Sequence, residues 1–149
     1  GEAVKNGAEG WERYPDPLCQ QLTEAIAEKF QLRPEMILCG NGAADLIFQA
    51  VLAERPKKAL VLSPSFSEYE QALRAFDCQV LSFPLKEEEG FVPDVDRMTE
   101  FIADASGKKV DMVFFCNPNN PSGIAVEREQ VEKLVNASTI KKFATSQSV

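Results

Sequence analysis

The 149-residue sequence predicts an α/β fold with three layers, in which helices cover both faces of a mixed, mostly parallel sheet. Two observations support this prediction. The apolar stretches at 59–62 and 112–116 are continuous rather than alternating, as expected for strands that are buried on both faces. Segments with helical periodicity lie between the strand segments, and this alternation is typical of helix-covered parallel sheets.

The first part of the chain is predicted to contain two helices and one short strand. Asp16 and Pro17 form a typical helix start, with Asp as the N-cap and Pro at the first helical position. The apolar residues of this helix recur every four positions, as Leu18, Leu22, Ile26 and Phe30. We expect a buried strand at 37–39, a loop at 40–42 and a second helix at 43–54. The apolar face of the second helix consists of Leu46, Ile47, Ala50 and Val51.

The remainder of the chain continues this alternation. Strands are predicted at 59–62, 80–83 and 110–116, and helices after the N-caps Ser67 and Asp94 and at 126–135. The glutamates at 87–89 are expected in a solvated loop. The side chains expected to face the sheet are Tyr69, Leu73, Phe76, Val95, Met98, Phe101, Ile102, Val131, Leu134 and Val135. After Asn136 the pattern predicts neither a clean strand nor an amphipathic helix, so we expect an irregular tail at 136–149.

The composition excludes several classes of function. The sequence has no histidine, which rules out Ser-His-Asp and Cys-His catalysis and a His-ligated zinc site within this chain, and we expect no metal site. A net charge of −7 and a pI near 4.7 argue against binding to nucleic acid or to an anionic membrane. The sequence contains neither an apolar run long enough to cross a bilayer nor a secretory signal. The four cysteines form no C-x-x-C pair, so we expect reduced, buried thiols and a cytoplasmic protein.

Three loops that follow predicted strands have an unusual composition, and in open α/β sheets such loops bind the ligands. The first, at 40–45, contains glycines followed by small residues, so that backbone N–H groups at a helix N-terminus could hold a phosphate. By itself this loop is more typical of a tight turn. Asp45 occupies the position of the third Gly of the dinucleotide-binding motif, and the Walker A lysine is missing.

The second and third loops carry aromatic and amide side chains. In the loop at 64–69, the ring of Phe66 could stack on a flat heteroaromatic ligand, although packing in the core is the more common role of a single aromatic residue. The loop at 116–123 combines two prolines, which restrict the backbone, with Asn117, Asn119 and Asn120. Amide groups of this kind can donate hydrogen bonds to a ligand oxygen.

Four motifs occur in a fixed order along the chain. They are Arg13-Tyr14-Pro15-Asp16-Pro17, Gly40-Asn41-Gly42, Pro64-Ser65-Phe66-Ser67-Glu68-Tyr69 and Asn119-Asn120-Pro121-Ser122-Gly123. Their order and spacing resemble those of the fold-type I pyridoxal-phosphate enzymes of the class I/II aminotransferase family. The branch that the chain resembles most contains threonine-phosphate decarboxylase, which serves cobalamin biosynthesis, and histidinol-phosphate aminotransferase. The resemblance implies an N-terminal arm at 1–13 and part of the cofactor-binding large domain at 14–135.

The resemblance also implies roles for individual residues toward pyridoxal 5'-phosphate. Backbone N–H groups of Gly42, Ala43 and Ala44 would hold the cofactor phosphate, Phe66 would stack on the pyridine ring, and Asn120 would donate to the phenolic oxygen of the ring. Tyr14 would reach the cofactor phosphate of the partner subunit, which implies a homodimer with shared sites. The implied substrate is an amino acid or an amino-acid phosphate, with decarboxylation of threonine phosphate or transamination of a histidinol-phosphate-like compound as the reaction.

Other residues that the family needs are not found in the sequence. They are an Asp beside the pyridine nitrogen, the Schiff-base Lys and an Arg for the substrate carboxylate, all expected C-terminal to the turn at 117–123. No Asp or Glu follows Glu132. The segment around Lys141 and Lys142 lacks the Gly and Arg pattern of the Schiff-base segment, so we interpret both as solvated tail residues. We therefore expect a chain that is truncated at both ends, contains no catalytic residue and is inactive by itself.

Two other interpretations are open at this stage. The chain could be a non-catalytic product that dimerises with a full-length relative. It could also be a Rossmann-like nucleotide-binding module, although the missing third Gly weighs against this.

Overall fold

The computed structural model describes residues 16–104, 110–137 and 142–146, together with the single residues Glu2, Gly7 and Tyr14. The chain divides into two compact units, residues 1–46 and 47–149. The helices are α1 (Gln20–Phe30), α2 (Gly42–Glu54), α3 (Ser67–Ala75), α4 (Val95–Asp104) and α5 (Arg128–Ala137), and the strands are β1 (Lys58–Ser63), β2 (Gln79–Pro84), β3 (Met112–Cys116) and β4 (Lys142–Ser146). Short 3-10 turns occur at Pro34–Met36 and Glu87–Glu89.

The second unit is built on a four-stranded sheet with the strand order β2-β1-β3-β4. Every strand pair in the described part of the chain is parallel. In register, Leu60 of β1 lies beside Leu81 of β2 on one side and Val113 of β3 on the other. The predicted α/β class is therefore confirmed, and the described strands form a purely parallel sheet.

Alternate residues of the two central strands point to opposite faces of the sheet. On one face, Val61 and Phe114 pack with Ile47 of α2 and with α3. On the other face, Leu60, Val113 and Phe115 pack with residues of α4 and α5. Burial on both faces explains why β1 and β3 are continuously apolar, and the predicted three-layer arrangement is confirmed.

The described part of the first unit differs from its sequence prediction at the start of α1. The carboxylate of Asp16 accepts hydrogen bonds from the Leu18 and Gln20 N–H groups, at 3.0 and 2.7 Å. However, Cys19 has a left-handed backbone, with φ at 49°, which interrupts a continuous helix, so α1 begins only at Gln20. Asp16 therefore caps a turn that precedes the helix, and the prediction of Pro17 as the first helical residue was wrong.

Three of the four residues of the apolar stripe predicted for the first helix are exposed, Ile26 is half-buried, and the predicted strand at 37–39 is not formed. Leu18, Leu22 and Phe30 are 71%, 53% and 60% exposed, and Ala27 is the buried residue of this helix. Ile37 has extended backbone angles, but residues 37–39 pair with none of the described strands. A strand needs a neighbour to bond with its N–H and C=O groups, and local propensity cannot supply one.

The prediction of an irregular tail at 136–149 also needs correction, because β4 lies within it. Residues 142–146 pair in parallel with β3, from Met112 beside Lys142 to Cys116 beside Ser146. The composition of this segment does not indicate a strand. The strand forms because it pairs with β3, which lies more than 25 residues earlier in the chain. Lys142 therefore belongs to a strand, whereas Lys141 lies outside the described residues.

The remaining predicted elements agree with the structure, apart from details. Ser67 is the first residue of α3 and not its N-cap, which is Phe66. The side chain of Asp94 accepts hydrogen bonds from the Asp96 and Arg97 N–H groups and so caps α4 as predicted. In α5, Leu134 is buried, but Val135, which was predicted to face inward, is 40% exposed. Of the four cysteines that were predicted to be buried, Cys78 and Cys116 are buried, whereas Cys19 and Cys39 are half-buried. None of the described helices is long and apolar enough to span a membrane.

Candidate functional site

The strand order of the second unit contains a reversal between β1 and β3. From β1 the chain passes through α3 to β2 on one side, and then returns through α4 to β3 on the other side of β1. Because the crossovers in parallel sheets are right-handed, α3 lies on one face and α4 and α5 lie on the other. Ligands in open α/β sheets bind where such a reversal opens a crevice at the carboxyl ends of the strands. Two of the three loops singled out from the sequence leave β1 and β3 at this place.

The loop after β1 presents a half-buried aromatic ring. Phe66 lies directly before α3, and its ring packs edge-on against Tyr69, with ring centroids 5.7 Å apart. Tyr69 is buried and stacks in turn on Phe114 of β3. The expectation that both residues pack in the core is therefore confirmed for Tyr69, whereas Phe66 remains partly accessible. The same loop, with Ser82 of β2, lines a cavity of about 200 Å³.

The turn after β3 is held by the side chain of Asn117. Its Oδ1 accepts a hydrogen bond from the Val126 N–H at 2.8 Å, and its Nδ2 donates to the Val126 carbonyl at 2.9 Å. This pair of bonds uses both backbone groups of Val126, so α5 begins at Arg128 rather than at residue 126 as predicted. The predicted turn at 117–123 is confirmed.

Asn119 joins this turn to the loop after β1. Its Nδ2 donates to the Pro64 carbonyl at 3.1 Å and to Ser122 Oγ at 3.0 Å. The side chain is almost fully buried, with 2% of its surface exposed. The hydrogen bond to Pro64 connects residues that are 55 positions apart in the sequence. It therefore fixes the two loops to each other at the reversal point.

The three asparagines of the turn consequently have different roles. Asn117 and Asn119 use their amides on protein groups, which corrects the expectation that all three amides could serve a ligand. Asn120 is exposed, and it is the residue to which the resemblance assigns a hydrogen bond to the cofactor. Nothing in the sequence distinguishes these three asparagines, because the difference depends on which backbone groups the fold brings near each of them.

Two polar atoms in this region are buried without a hydrogen-bond partner among the described residues. They are Ser65 Oγ in the loop after β1 and Asn119 Oδ1 in the turn after β3. A buried polar atom without a partner is costly in a folded protein and calls for an explanation, such as a bound group. Ser65 was not singled out from the sequence, and Asn119 was considered only as one of three amides that could donate to a ligand.

The first of the three loops, at 40–45, belongs to the first unit. Gly42 begins α2 with φ at 82°, and a Cβ atom built on it would meet no atom within 4 Å. At Gly40, by contrast, a Cβ would lie only 2.7 Å from Leu46 Cδ2. The Asn41 N–H donates to the Asp45 carboxylate at 2.8 Å. Ala43 is exposed and Ala44 is half-buried. The Gly42 N–H, to which the resemblance assigns a phosphate contact, donates to the Gly40 carbonyl at 3.0 Å.

Tyr14, the residue predicted to reach a partner subunit, is fully exposed.

Among the described residues, the groups with a shifted pKa lie outside the loops at 40–45, 64–69 and 116–123. Burial raises the pKa of the Cys78 thiol, and the charge of Asp111 adds to this effect. A hydrogen bond to Glu132 raises the pKa of Arg128.

Comparisons with known proteins agree with this architecture. Threonine-phosphate decarboxylase from Salmonella typhimurium is 33% identical over 125 residues, which are 84% of this chain and 33% of the relative. Histidinol-phosphate aminotransferase from Chlorobaculum tepidum is 30% identical over 132 residues, which are 87% of this chain and 36% of the relative. A solved decarboxylase from Sulfurospirillum multivorans superposes with a TM-score of 0.82 at 28% identity, and the match covers 99% of this chain and 37% of the other.

The chain thus spans about a third of the length of the curated relatives that it matches. The family profile described as aminotransferase class I and II matches residues 2–144, which is nearly the whole chain. The resemblance that the four motifs indicated is confirmed, and this chain belongs to the class I and II aminotransferase family.

Proposed function

We propose that this chain supplies part of the pyridoxal-phosphate cradle of an enzyme that acts on an amino-acid phosphate. The observation that carries the proposal is the hydrogen bond from Asn119 to Pro64, because it joins the two ligand-binding loops at the reversal point of the sheet. Enzymes of this family depend on pyridoxal phosphate. Because the chain spans about a third of the length of its relatives, we also propose, rather than state, the reaction of the whole enzyme.

The residues of the second unit fit this cofactor. Phe66 offers a partly accessible ring beside the cavity after β1, and Asn120 offers an exposed amide after β3. Ser65 Oγ is a buried polar atom that has no hydrogen-bond partner among the described residues. A flat, polar, heteroaromatic group can use a ring face and hydrogen-bonding groups of this kind together.

In this proposal each residue contributes a defined interaction. Phe66 would stack on the pyridine ring, and Asn120 would donate a hydrogen bond to the phenolic oxygen. The N–H groups of Gly42, Ala43 and Ala44, together with the dipole of α2, would hold the phosphate, and the Gly42 N–H would then give up its bond to the Gly40 carbonyl. When bound, the cofactor supplies an electron sink for negative charge that develops on the substrate. The protein groups bind and orient this sink.

The enzyme could catalyse either decarboxylation or transamination. We favour decarboxylation of threonine phosphate, with transamination of a histidinol-phosphate-like substrate as the alternative. The similarity to the Salmonella and Sulfurospirillum decarboxylases supports this order. We also propose that the enzyme is a homodimer, in which the exposed Tyr14 reaches the cofactor phosphate of the partner subunit.

A ligand titration of the 149-residue chain tests the cofactor proposal. We expect saturable binding of pyridoxal phosphate, measured by its absorbance and by fluorescence, and binding at least tenfold weaker of pyridoxal, which lacks the phosphate. Binding of NAD without binding of pyridoxal phosphate would overturn the proposal in favour of a nucleotide-binding module.

A chimera tests the reaction. Residues 2–137 of this chain would replace the matching segment of the Salmonella threonine-phosphate decarboxylase. We expect a dimer that releases CO₂ from threonine phosphate, and the unmodified Salmonella enzyme is the reference. A chimera that binds the cofactor but only transaminates histidinol phosphate would place the chain on the aminotransferase branch.

A further inference from the structure

The orientation of the Asn119 amide is determined by its partners. The Pro64 carbonyl can only accept a hydrogen bond, so the atom that faces it at 3.1 Å must be the donor Nδ2. Ser122 Oγ lies 3.0 Å from the same nitrogen. The backbone of Asn119 is held as well, because its N–H donates to the Ile124 carbonyl at 2.8 Å and its carbonyl accepts from Gly123 at 2.6 Å. This asparagine is therefore fixed by three of its four polar groups.

We propose that Asn119 is a positioning residue, which aligns Phe66 and Asn120 on one bound ligand. Its hydrogen bond ends at Pro64, two residues before Phe66, and Asn120 is its immediate neighbour in the chain. The bond thus sets the spacing between the ring of Phe66 and the amide of Asn120. Asn119 itself does not contact the reacting atoms. This inference rests on the proposed function, because the aligned ligand is pyridoxal phosphate.

Asp111 provides a matched control at the amino ends of the same two strands, β1 and β3. Its carboxylate accepts hydrogen bonds from the Lys57 and Lys58 N–H groups, at 2.8 and 3.1 Å. This contact joins the amino ends of β1 and β3, just as Asn119 joins the loops at their carboxyl ends. Loss of either contact removes a long-range bond between a side chain and the backbone, but only Asn119 lies beside the proposed site.

The first experiment needs no ligand. In Asn119→Asp the side chain keeps its size, but a carboxylate oxygen faces the Pro64 carbonyl and repels it. Hydrogen exchange of the full chain, followed by mass spectrometry, should show at least tenfold faster exchange in the peptide that spans 64–70. Asp111→Ala should leave this peptide unchanged and should affect the region around Lys57 and Lys58. Unchanged exchange at 64–70 in Asn119→Asp would overturn the inference.

The second experiment measures coupling between Asn119 and the ring that it positions. We expect Asn119→Asp and Asn119→Ala to raise the Kd for pyridoxal phosphate about tenfold, and Asp111→Ala to change it less than twofold. In a Phe66→Ala background, the same Asn119 substitutions should raise the Kd less than threefold, because the ring to be positioned is gone. A general loss of structure would instead weaken binding equally in both backgrounds, and that result would overturn the inference.

The two experiments also separate this inference from the proposed function. If the unsubstituted chain binds no pyridoxal phosphate, the proposed function fails, and with it the positioning role toward this ligand, even when exchange at 64–70 responds to Asn119→Asp. If the chain binds pyridoxal phosphate and the Kd is insensitive to Asn119→Asp, the proposed function stands and the positioning role is wrong.

Discussion

The ring of Tyr69 lies nearly parallel to that of Phe114, with ring centroids 4.8 Å apart and an angle of 16° between the planes. Tyr69 belongs to the first turn of α3 and Phe114 to β3, so this contact anchors the start of the helix to a central strand. Phe66 in turn leans edge-on against Tyr69. The ring of Phe66, which is proposed to stack on the cofactor, therefore packs against the core of the second unit through Tyr69.

Tyr69→Ala should strongly destabilise the chain. Removal of a buried aromatic ring leaves a cavity and also ends the stacking on Phe114, so we expect a loss of about 3–5 kcal/mol in the free energy of unfolding. Urea denaturation followed by circular dichroism measures this value. Tyr14→Ala is the matched control, since Tyr14 is fully exposed and its loss should change the stability by less than about 0.5 kcal/mol. Similar values for the two variants would contradict the packing described above.

Phe66→Ala should weaken binding of the cofactor. Stacking between aromatic rings contributes about 0.5–1.5 kcal/mol, which corresponds to an increase in the Kd for pyridoxal phosphate of up to about tenfold. Phe66→Trp should retain most of the affinity because it preserves a ring face. Phe30→Ala serves as the control, as Phe30 is 60% exposed in α1. The stacking role would be ruled out by a titration in which Phe66→Ala binds as tightly as the unsubstituted chain.

Gly42→Ala should destabilise the start of α2 through the backbone alone. A Cβ at this position meets no atom within 4 Å, but the φ of 82° is unfavourable for residues with a side chain. We expect a loss of about 1–2 kcal/mol on unfolding by urea. Gly42→Asn should cost less, since asparagine tolerates left-handed angles better than alanine does. Equal stability of Gly42→Ala and the unsubstituted chain would show that this backbone conformation carries no strain for alanine.

Reduction with borohydride in the presence of pyridoxal phosphate should attach no pyridoxyl group specifically to Lys142. Lys142 lies beside Met112 at the amino end of its strand, whereas the loops proposed to bind the cofactor follow the carboxyl ends. Met112 is the first residue of β3 and Cys116 is the last, and the four residue steps between them correspond to about 13 Å along the strand. Peptide mapping by mass spectrometry identifies any modified lysine. Stoichiometric modification of Lys142, suppressed in Lys142→Arg, would contradict this placement.

Glu89→Gln should reduce stability at neutral pH but not in acid. A hydrogen bond from Lys86, followed by the charges of Lys86 and Arg97, lowers the pKa of the Glu89 carboxyl below its ordinary value of 4.5. Stabilisation from a lowered carboxyl pKa is present above the unfolded value and is lost as the pH falls through the folded value. The variant should therefore melt slightly below the unsubstituted chain at pH 7, and the difference should shrink as the pH falls below 4.5. Since these charges are exposed, 0.5 M NaCl should reduce the difference at pH 7.

Much of the second unit could be predicted from local sequence patterns. The continuous apolar stretches of β1 and β3 indicated strands buried on both faces, and the periodicity of α2, α3 and α4 indicated which side chains face the sheet. These predictions succeeded because each depends on a few neighbouring residues and on the period of one element. The four ordered motifs also identified the family, as the match over residues 2–144 confirms.

The tertiary structure decided the features that depend on distant residues. Residues 37–39 are apolar but pair with no described strand, whereas the polar segment at 142–146 pairs along its whole length with β3. Strand formation requires a partner for the backbone groups, and the sequence of one segment does not contain that information. For the same reason, only the fold separates the three asparagines of the turn. It brings Asn117 to Val126 and Asn119 to Pro64, and it leaves Asn120 exposed.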